Sequence, residues 1–501
     1  MAVLCFVACS QLHLAHDQVS ADHHLLKIKI ADSQIIEEFE NDPAVQRLAT
    51  EIRSHGLTHV SNMGLGFLWV IATDDELEDL RLRKYDIEHV MQAPELVLHK
   101  RMVWGPSQTL PNGYHEYEEI VASLETLHRL NPRTTALHII GRTQQFERPI
   151  YALELSDQAS RQRDKPRVLF SAVIHGNEVM GAEVTMALLR DLLREHTGNE
   201  SVARYLGELD IWFVPVINVD GYVLATTVNP SWRKNARDND SDGKLSWDDG
   251  VDINRNFDFH FDTSGSSDPG SKFYRGESPF SERESRTMAD LVRDQKFLFS
   301  FTYHSAESRV YYPWRITTDE TEFHTPEDDL LTEMASSIAD ATRSINENYT
   351  FDAVRNTKTE SYTTNYYYGA LGTIDFIIEL GKYDHVYPEP VLQRVIQNCM
   401  PGAHYLLDRA LGPGLTGVVS EEGTGRPLLA EVKILPRDDL DADVMPRTTR
   451  SDTGRYYRAL QAGTYSVVVQ AAGMQTKEFR DVVVAANGWT ELDCRLVVSH
   501  R

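Results

Sequence analysis

The stretch from Val168 to Glu195, VLFSAVIHGNEVMGAEVTMALLRDLLRE, decides how this chain folds. Val168 to Ile174 is an almost unbroken apolar run, as expected of a strand covered on both faces. From Gly181 onward Val184, Leu188, Leu189 and Leu192 recur at helical spacing, so that stripe is core. Between run and stripe lies His175-Gly176-Asn177-Glu178, at the turn from strand to helix. Further apolar runs stand at Ile211 to Val216 and Phe297 to Thr302, with amphipathic segments such as Glu116 to Arg129 among them. This alternation predicts an α/β domain over residues 113–411: a mixed, doubly wound sheet covered by helices on both faces.

The flanks differ from this centre. Leu26, Ile28 and Ile30 alternate with Lys27 and Lys29, a half-buried strand. A helix is expected over 43–54 on Val45, Leu48 and Ile52, then strands at Phe67 to Ala72 and Ile87 to Met91. Thr73 caps a short helix with Glu76 three residues on. Residues 22–104 thus form a small N-terminal α/β domain without catalytic features. Past the hinge Gly412-Pro413-Gly414 come short alternating strands, Leu415 to Val419, Glu431 to Leu435, Tyr456 to Leu460, Tyr465 to Val469 and Val482 to Val484. They make 414–501 a C-terminal β-sandwich.

The 501 residues suit about three domains. With 41% hydrophobic and 25% charged residues the composition is globular, and the net charge of −25 argues against nucleic acid or an anionic membrane as partner. No apolar run reaches membrane-span length. A monomer is expected. The four cysteines, Cys5, Cys9, Cys399 and Cys494, form no CxxC pair, which excludes a zinc knuckle or a disulfide scaffold. Residues 1–21 open on MAVLCFVACS, read as the remnant of a secretory signal, the alternative being a frayed terminus. Export to the periplasm or outside the cell follows, with Cys9 in a loose lipoprotein box as a lipid anchor. His13, His16, His23 and His24 are read as exposed polar residues.

His175 and Glu178, three residues apart at the carboxyl end of a strand, can both reach one zinc ion in the crevice where α/β sheets bind ligands. His304, at the end of another buried run, supplies a third ligand. Asn218-Val219-Asp220-Gly221-Tyr222, Trp232-Arg233-Lys234-Asn235, Asp252-Ile253-Asn254-Arg255-Asn256-Phe257, Tyr274-Arg275-Gly276, Ser281-Glu282 and Phe376-Ile377-Ile378-Glu379 follow in order. The set resembles the zinc metallocarboxypeptidases, the carboxypeptidase A-like peptidases, over about Tyr114 to Ala410. Its HGNE wording is nearest the carboxypeptidase N/E branch and bacterial relatives. Thr416-Gly417, Gly454-Arg455-Tyr456 and Ala462-Gly463-Thr464-Tyr465 resemble the transthyretin-like domain of that branch. Residues 22–104 look like the propeptide of secreted bacterial carboxypeptidases, either an inhibitor released by a cut such as Lys100-Arg101 or a permanent accessory domain.

The resemblance implies zinc on His175, Glu178 and His304, with Glu379 as general base. It implies Arg233 for the oxyanion, Asn254 and Arg255 for the substrate's terminal carboxylate, and Asp252 to orient the first histidine. A tyrosine covers bound substrate in the family; here Tyr362 is the best candidate, although one way of counting gives Tyr367, and Tyr366 and Tyr368 also compete. One departure stands out. Asp238, Asp240 and Asp242, with Ser246 and Asp249 at the ninth and twelfth places, have the spacing of a calcium loop. It reads either as a structural calcium site or as a solvated acidic turn.

The implied function is zinc-dependent hydrolysis of the C-terminal bond of peptides or proteins. Two alternatives remain: the same site acting as an amidase on peptidoglycan stem peptides or as a deglutamylase, and an inactive binding protein. The last is disfavoured because Glu379 and all three ligands are present.

Overall fold

The computed structural model describes residues 23–29, 60–62, 67–73, 87–92, 110–157, 159, 164–317, 322–344, 350–357, 360–381, 385–439 and 443–499. The segment before His23, the helices expected over 43–54 and after Thr73, and Lys100-Arg101 lie outside them. The chain divides into two compact units, residues 1–111 with 225–231, and residues 112–224 with 232–501.

In the first unit, strands β1 (His23–Lys29), β2 (Val60–Asn62), β3 (Phe67–Thr73) and β4 (Ile87–Gln92) form an antiparallel sheet in the order β2-β3-β1-β4. Leu26 stands opposite Val70 in the antiparallel register of β1 and β3.

In the second unit an eight-stranded sheet carries the order β13-β10-β14-β9-β7-β8-β6-β5. Its members are β5 (Thr135–Arg142), β6 (Pro149–Leu155), β7 (Arg167–Ala172), β8 (Asp210–Val214), β9 (Phe299–Ser305), β10 (Arg309–Tyr312), β13 (Asp352–Arg355) and β14 (Ile374–Leu380); β11 (Arg315–Thr317) and β12 (Glu322–His324) form a separate hairpin. The four central strands β14, β9, β7 and β8 are parallel, while β5, β6 and β10 join antiparallel. Every residue of β7, β8 and β9 is buried, including Ser300, Thr302 and His304, which alternate with the aromatic residues of β9.

The helices are α1 (Tyr117–Leu130), α2 (Met180–Glu195), α3 (Glu200–Glu208), α4 (Val219–Thr227), α5 (Arg283–Gln295), α6 (Asp328–Ala341), α7 (Thr363–Tyr366) and α8 (Glu389–Ala410). The stripe Val184, Leu188, Leu189 and Leu192 of α2 is buried and packs on β7, β8 and β9. Each such side chain contributes about 1.5–3 kcal/mol by leaving water.

Beyond α8 the sandwich pairs β17 (Arg455–Ala459), β15 (Gly414–Glu421) and β20 (Trp489–Glu491), with β21 (Cys494–Leu496) on β15, against β16 (Glu431–Leu435), β18 (Gly463–Gln470) and β19 (Lys477–Val484). Leu415, Val419, Val432, Ile434, Val467, Val469 and Cys494 share its core. Two of its strands, β20 and β21, are too short for an alternation to register in the sequence. Cys399 and Cys494 are both unpaired and buried.

Candidate active site

The site grows from three adjacent parallel strands. β7 delivers the His175 turn, while β9 and β14 place His304 and Glu379 side by side in register. His175 Nδ1 lies 2.8 Å from Glu178 Oε1, His304 Nδ1 lies 2.9 Å from Glu178 Oε2, and the two Nδ1 atoms are 3.2 Å apart. All three residues are buried. Although His304 Nδ1 is 2.9 Å away, Glu178 Oε2 makes no well-directed hydrogen bond, so a buried carboxylate oxygen is left unsatisfied where the two Nδ1 atoms converge. Two imidazoles and one carboxylate around a common point are a donor set that suits zinc and leaves a coordination position open.

Gly176 makes the turn compact. A Cβ there would sit 2.4 Å from the carbonyl carbon of Gly221 and 2.7 Å from the oxygen of Trp232, and its N–H donates to the oxygen of Arg233 at 2.8 Å. The histidine turn and the arginine segment therefore touch backbone to backbone. Arg233 lies along the acids, with Nη1 3.2 Å from Glu178 Oε1 and Nε 3.2 Å from Asp252 Oδ2. Asp252 Oδ1 lies 3.1 Å from His175 Nε2, on the side of the ring away from Glu178 and His304, and accepts from Asn254 N at 3.0 Å. Asn254 Oδ1 in turn accepts from Thr363 N at 2.9 Å. Arg255 donates to the Asn254 carbonyl at 2.9 Å, and its guanidinium covers the Tyr362 ring at 4.5 Å.

One cavity of about 390 Å³ is lined by His175, Glu178 and His304 and by Arg233, Asn254, Arg255, Tyr362 and Glu379. A second hollow of about 680 Å³ shares Arg255, Tyr311, Asn356 and Tyr362 with it. Of the four competing tyrosines, Tyr366, Tyr367 and Tyr368 are buried in the core and only Tyr362 lines the cavity. Glu307, Tyr311 and Asn356 also line it and have no signal in the sequence, since they arrive from the turn between β9 and β10, from β10 and from the segment after β13.

The charges are strongly coupled. Burial works to raise the Glu178 carboxyl, but His175 and His304 hold it well below the usual carboxylate range. Burial likewise opposes ionisation of Asp252, and Arg233, Arg255 and His175 overcome it. Glu379 goes the other way: burial, then Glu178 and Glu307, push it well above the carboxylate range, with Arg233 opposing. A carboxyl that holds its proton this readily suits a proton carrier.

Most other motif residues are structural. Buried Asn218 donates to the Ile174 carbonyl at 3.2 Å, and Asn235 donates to Glu282 at 2.7 Å. Asn256 receives the Glu282 N–H at 3.1 Å. They tie the loops into one crevice wall.

The acidic loop departs from the calcium expectation. Asp238, Asp240 and Asp242 bring carboxylate oxygens together, yet they spend them on the turn: Asp238 accepts from Gly243 N at 2.9 Å and Asp242 from Lys244 N at 2.7 Å. Asp249 does not join them. It is buried and accepts from Asn239 N at 2.8 Å and Ser246 N at 2.7 Å. Asp249 thus stands apart from Asp238, Asp240 and Asp242, whose three carboxylates lie close enough together to hold a cation.

Residues 120–401 match the family described as zinc carboxypeptidase, and residues 414–497 match the carboxypeptidase regulatory-like domain. Rat carboxypeptidase A2 is 31% identical over 204 residues, 40% of this chain and 46% of that protein. Carboxypeptidase B of Astacus astacus is 29% identical over 297 residues, 55% of this chain and 90% of that one. The chain spans about half the length of the first of these relatives. Among solved structures, thrombin activatable fibrinolysis inhibitor superposes with a TM-score of 0.59 at 18% identity, covering 78% of this chain and 99% of that one. Carboxypeptidase A of Helicoverpa armigera gives 0.54 at 18%, covering 78% and 97%. These two likenesses speak for the fold. No helix among the described residues is long and apolar enough to cross a membrane.

Proposed function

The chain belongs to the zinc carboxypeptidase family, and from that premise we propose that it hydrolyses the C-terminal bond of peptides and releases single residues. The observation that carries this reading is the shared cavity, in which the ligand triad, a cation, a carboxylate grip and an acid face one another. Zinc held by His175, Glu178 and His304 supplies Lewis acidity, polarising a carbonyl and acidifying water. Glu379 takes a proton from the attacking water and returns it to the leaving amine. Arg233 faces the carbonyl oxygen as negative charge develops on it, a contribution made only in the transition state. Asn254 and Arg255 grip the free α-carboxylate, to which a planar guanidinium fork is matched. Tyr362, held under Arg255, covers the substrate.

Zinc-loaded protein should release C-terminal residues from blocked dipeptides with basic, acidic or apolar ends. Chelation should abolish release, and Glu379→Gln should lower kcat by about 10²–10⁴-fold with zinc retained. Full turnover by that variant would overturn the role of Glu379. An amidase or deglutamylase would use the same triad; activity confined to stem peptides or to glutamate chains would replace the carboxypeptidase reading. Export belongs to this proposal and rests on reading the apolar stretch MAVLCFVACS as part of a secretory signal.

A further inference from the structure

We propose that the seam between the amino end of the catalytic sheet and the sandwich is a binding site for a small tetrahedral oxyanion of the phosphate or sulfate class. A cavity of about 70 Å³ lies there, lined by Lys165, Lys296, Arg447, Arg450, Arg455 and Arg458, with Glu327 as its one acidic wall residue. Six cations around one hollow run against a chain whose net charge is −25. The volume admits one such ion, or about two waters at roughly 30 Å³ each.

Three of the six have their charge met. Lys165 donates to Asp157 at 2.7 Å, Arg450 to Asp452 at 2.9 Å, and Arg458 to Glu327 and Asp438 at 2.8 and 2.6 Å. Of the others, Lys296 has no acid partner, and Arg447 and Arg455 each keep one buried donor nitrogen unbonded, although Arg447 Nη1 donates to the Tyr368 carbonyl at 2.7 Å and Arg455 Nη1 to Glu491 at 3.5 Å. Lys296 has only the Thr448 hydroxyl, at 2.8 Å, and its ammonium is depressed by burial with no acid to restore it. Arg447 is buried, its side chain 9% exposed, and its Nη2 has no hydrogen-bond partner. The nearest carboxylate oxygen, Glu327 Oε2, is 3.9 Å away and already bonded by the Tyr368 hydroxyl. Arg455 Nε is likewise buried without a hydrogen bond, 3.8 Å from Asp164. Buried cationic donors without acceptors are costly, and a multivalent oxyanion supplies the acceptors that are missing.

The site is separate from the crevice. Phe297, Leu298 and Ile374, which line it, precede or begin β9 and β14, whereas His304 and Glu379 lie near the opposite ends of those strands. Seven residues of strand put about 20 Å between them. A bound ion would join Lys296 of the catalytic domain to Arg447 and Arg455 of the sandwich.

The test titrates inorganic phosphate into the full chain at constant ionic strength with chloride as the balancing ion, read by calorimetry and by melting temperature. One phosphate per chain and a saturable rise in Tm are expected. Lys296→Gln and Arg447→Gln should each weaken binding by about tenfold, Lys296→Arg should restore it, and Arg255→Gln in the crevice should leave it intact. Glycerol 3-phosphate should bind more weakly than the free ion. Absence of saturable binding, binding lost in Arg255→Gln but unchanged in Lys296→Gln, or tighter binding of the ester would each overturn the assignment.

Discussion

Asp252 and Arg233 both meet His175 at Nε2, and we propose that the acid sets the tautomer of the imidazole. Asp252 Oδ1 lies 3.1 Å from Nε2, and Arg233 shares its other oxygen. An imidazole that donates from Nε2 presents a lone pair at Nδ1, and that lone pair is what a cation needs. Asp252→Asn should weaken zinc binding by about 10–100-fold, measured by competition with a chelator, while the melting temperature of the zinc-loaded protein falls little. Unchanged affinity would remove the orienting role. The residue types at this scale were legible: HGNE, DINRN and the acid ending an apolar run could each be picked out. What the sequence did not reveal is Gly176 as a point of backbone contact with Gly221 and Trp232, because the partners lie far along the chain.

At the scale of elements, the apolar runs at 168–174 and 297–302 became β7 and β9 with ends shifted by a few residues. A continuous apolar run marks a buried strand well but its ends poorly, since nothing polar interrupts it. Glu282 stands at the N-cap of α5 and Glu284 in its first turn, where the helix dipole favours acids. Both are fully buried. Burial raises the Glu284 carboxyl to about 8, with Glu282 adding to the shift, and its Oε2 has no partner. The folded state therefore holds this proton more tightly than the unfolded chain, whose group ionises near 4.5. Stability from this residue is present below that value and is lost as pH rises toward 8. Glu284→Gln should raise stability at pH 8 by about 1–3 kcal/mol and change it little at pH 4, in denaturant titrations at both pH values. Equal effects at the two pH values would contradict this.

Across the molecule, the sandwich is bound to the catalytic domain by charge. Arg458 of β17 meets Glu327 before α6 and Asp438 of its own domain, and these acids overcome burial to keep the guanidinium charged. Glu327 also receives the Tyr368 hydroxyl, and Met445 N donates to the Gly369 carbonyl at 2.7 Å. The sandwich thus grips the short helical stretch that runs from Tyr362 to Gly372 and carries the cavity-lining tyrosine at its start. Arg458→Met leaves two buried carboxylates without their cation and should cost about 3–5 kcal/mol, read as a lowered melting temperature; a change under about 1 kcal/mol would mean that the seam is solvated.

The sequence alone determined the fold class of this protein and singled out the residues that meet in its cavity. Periodicity records which faces are buried, and the spacing of His175, Glu178, His304 and Glu379 relative to strand ends records which side chains open onto the crevice. Only the tertiary structure decided which tyrosine lines the cavity, that Asp249 turns away from the other aspartates, and that basic residues from 165 to 458 gather at one seam. Those outcomes depend on contacts between segments that no local pattern couples, and on where burial leaves a charge without a partner.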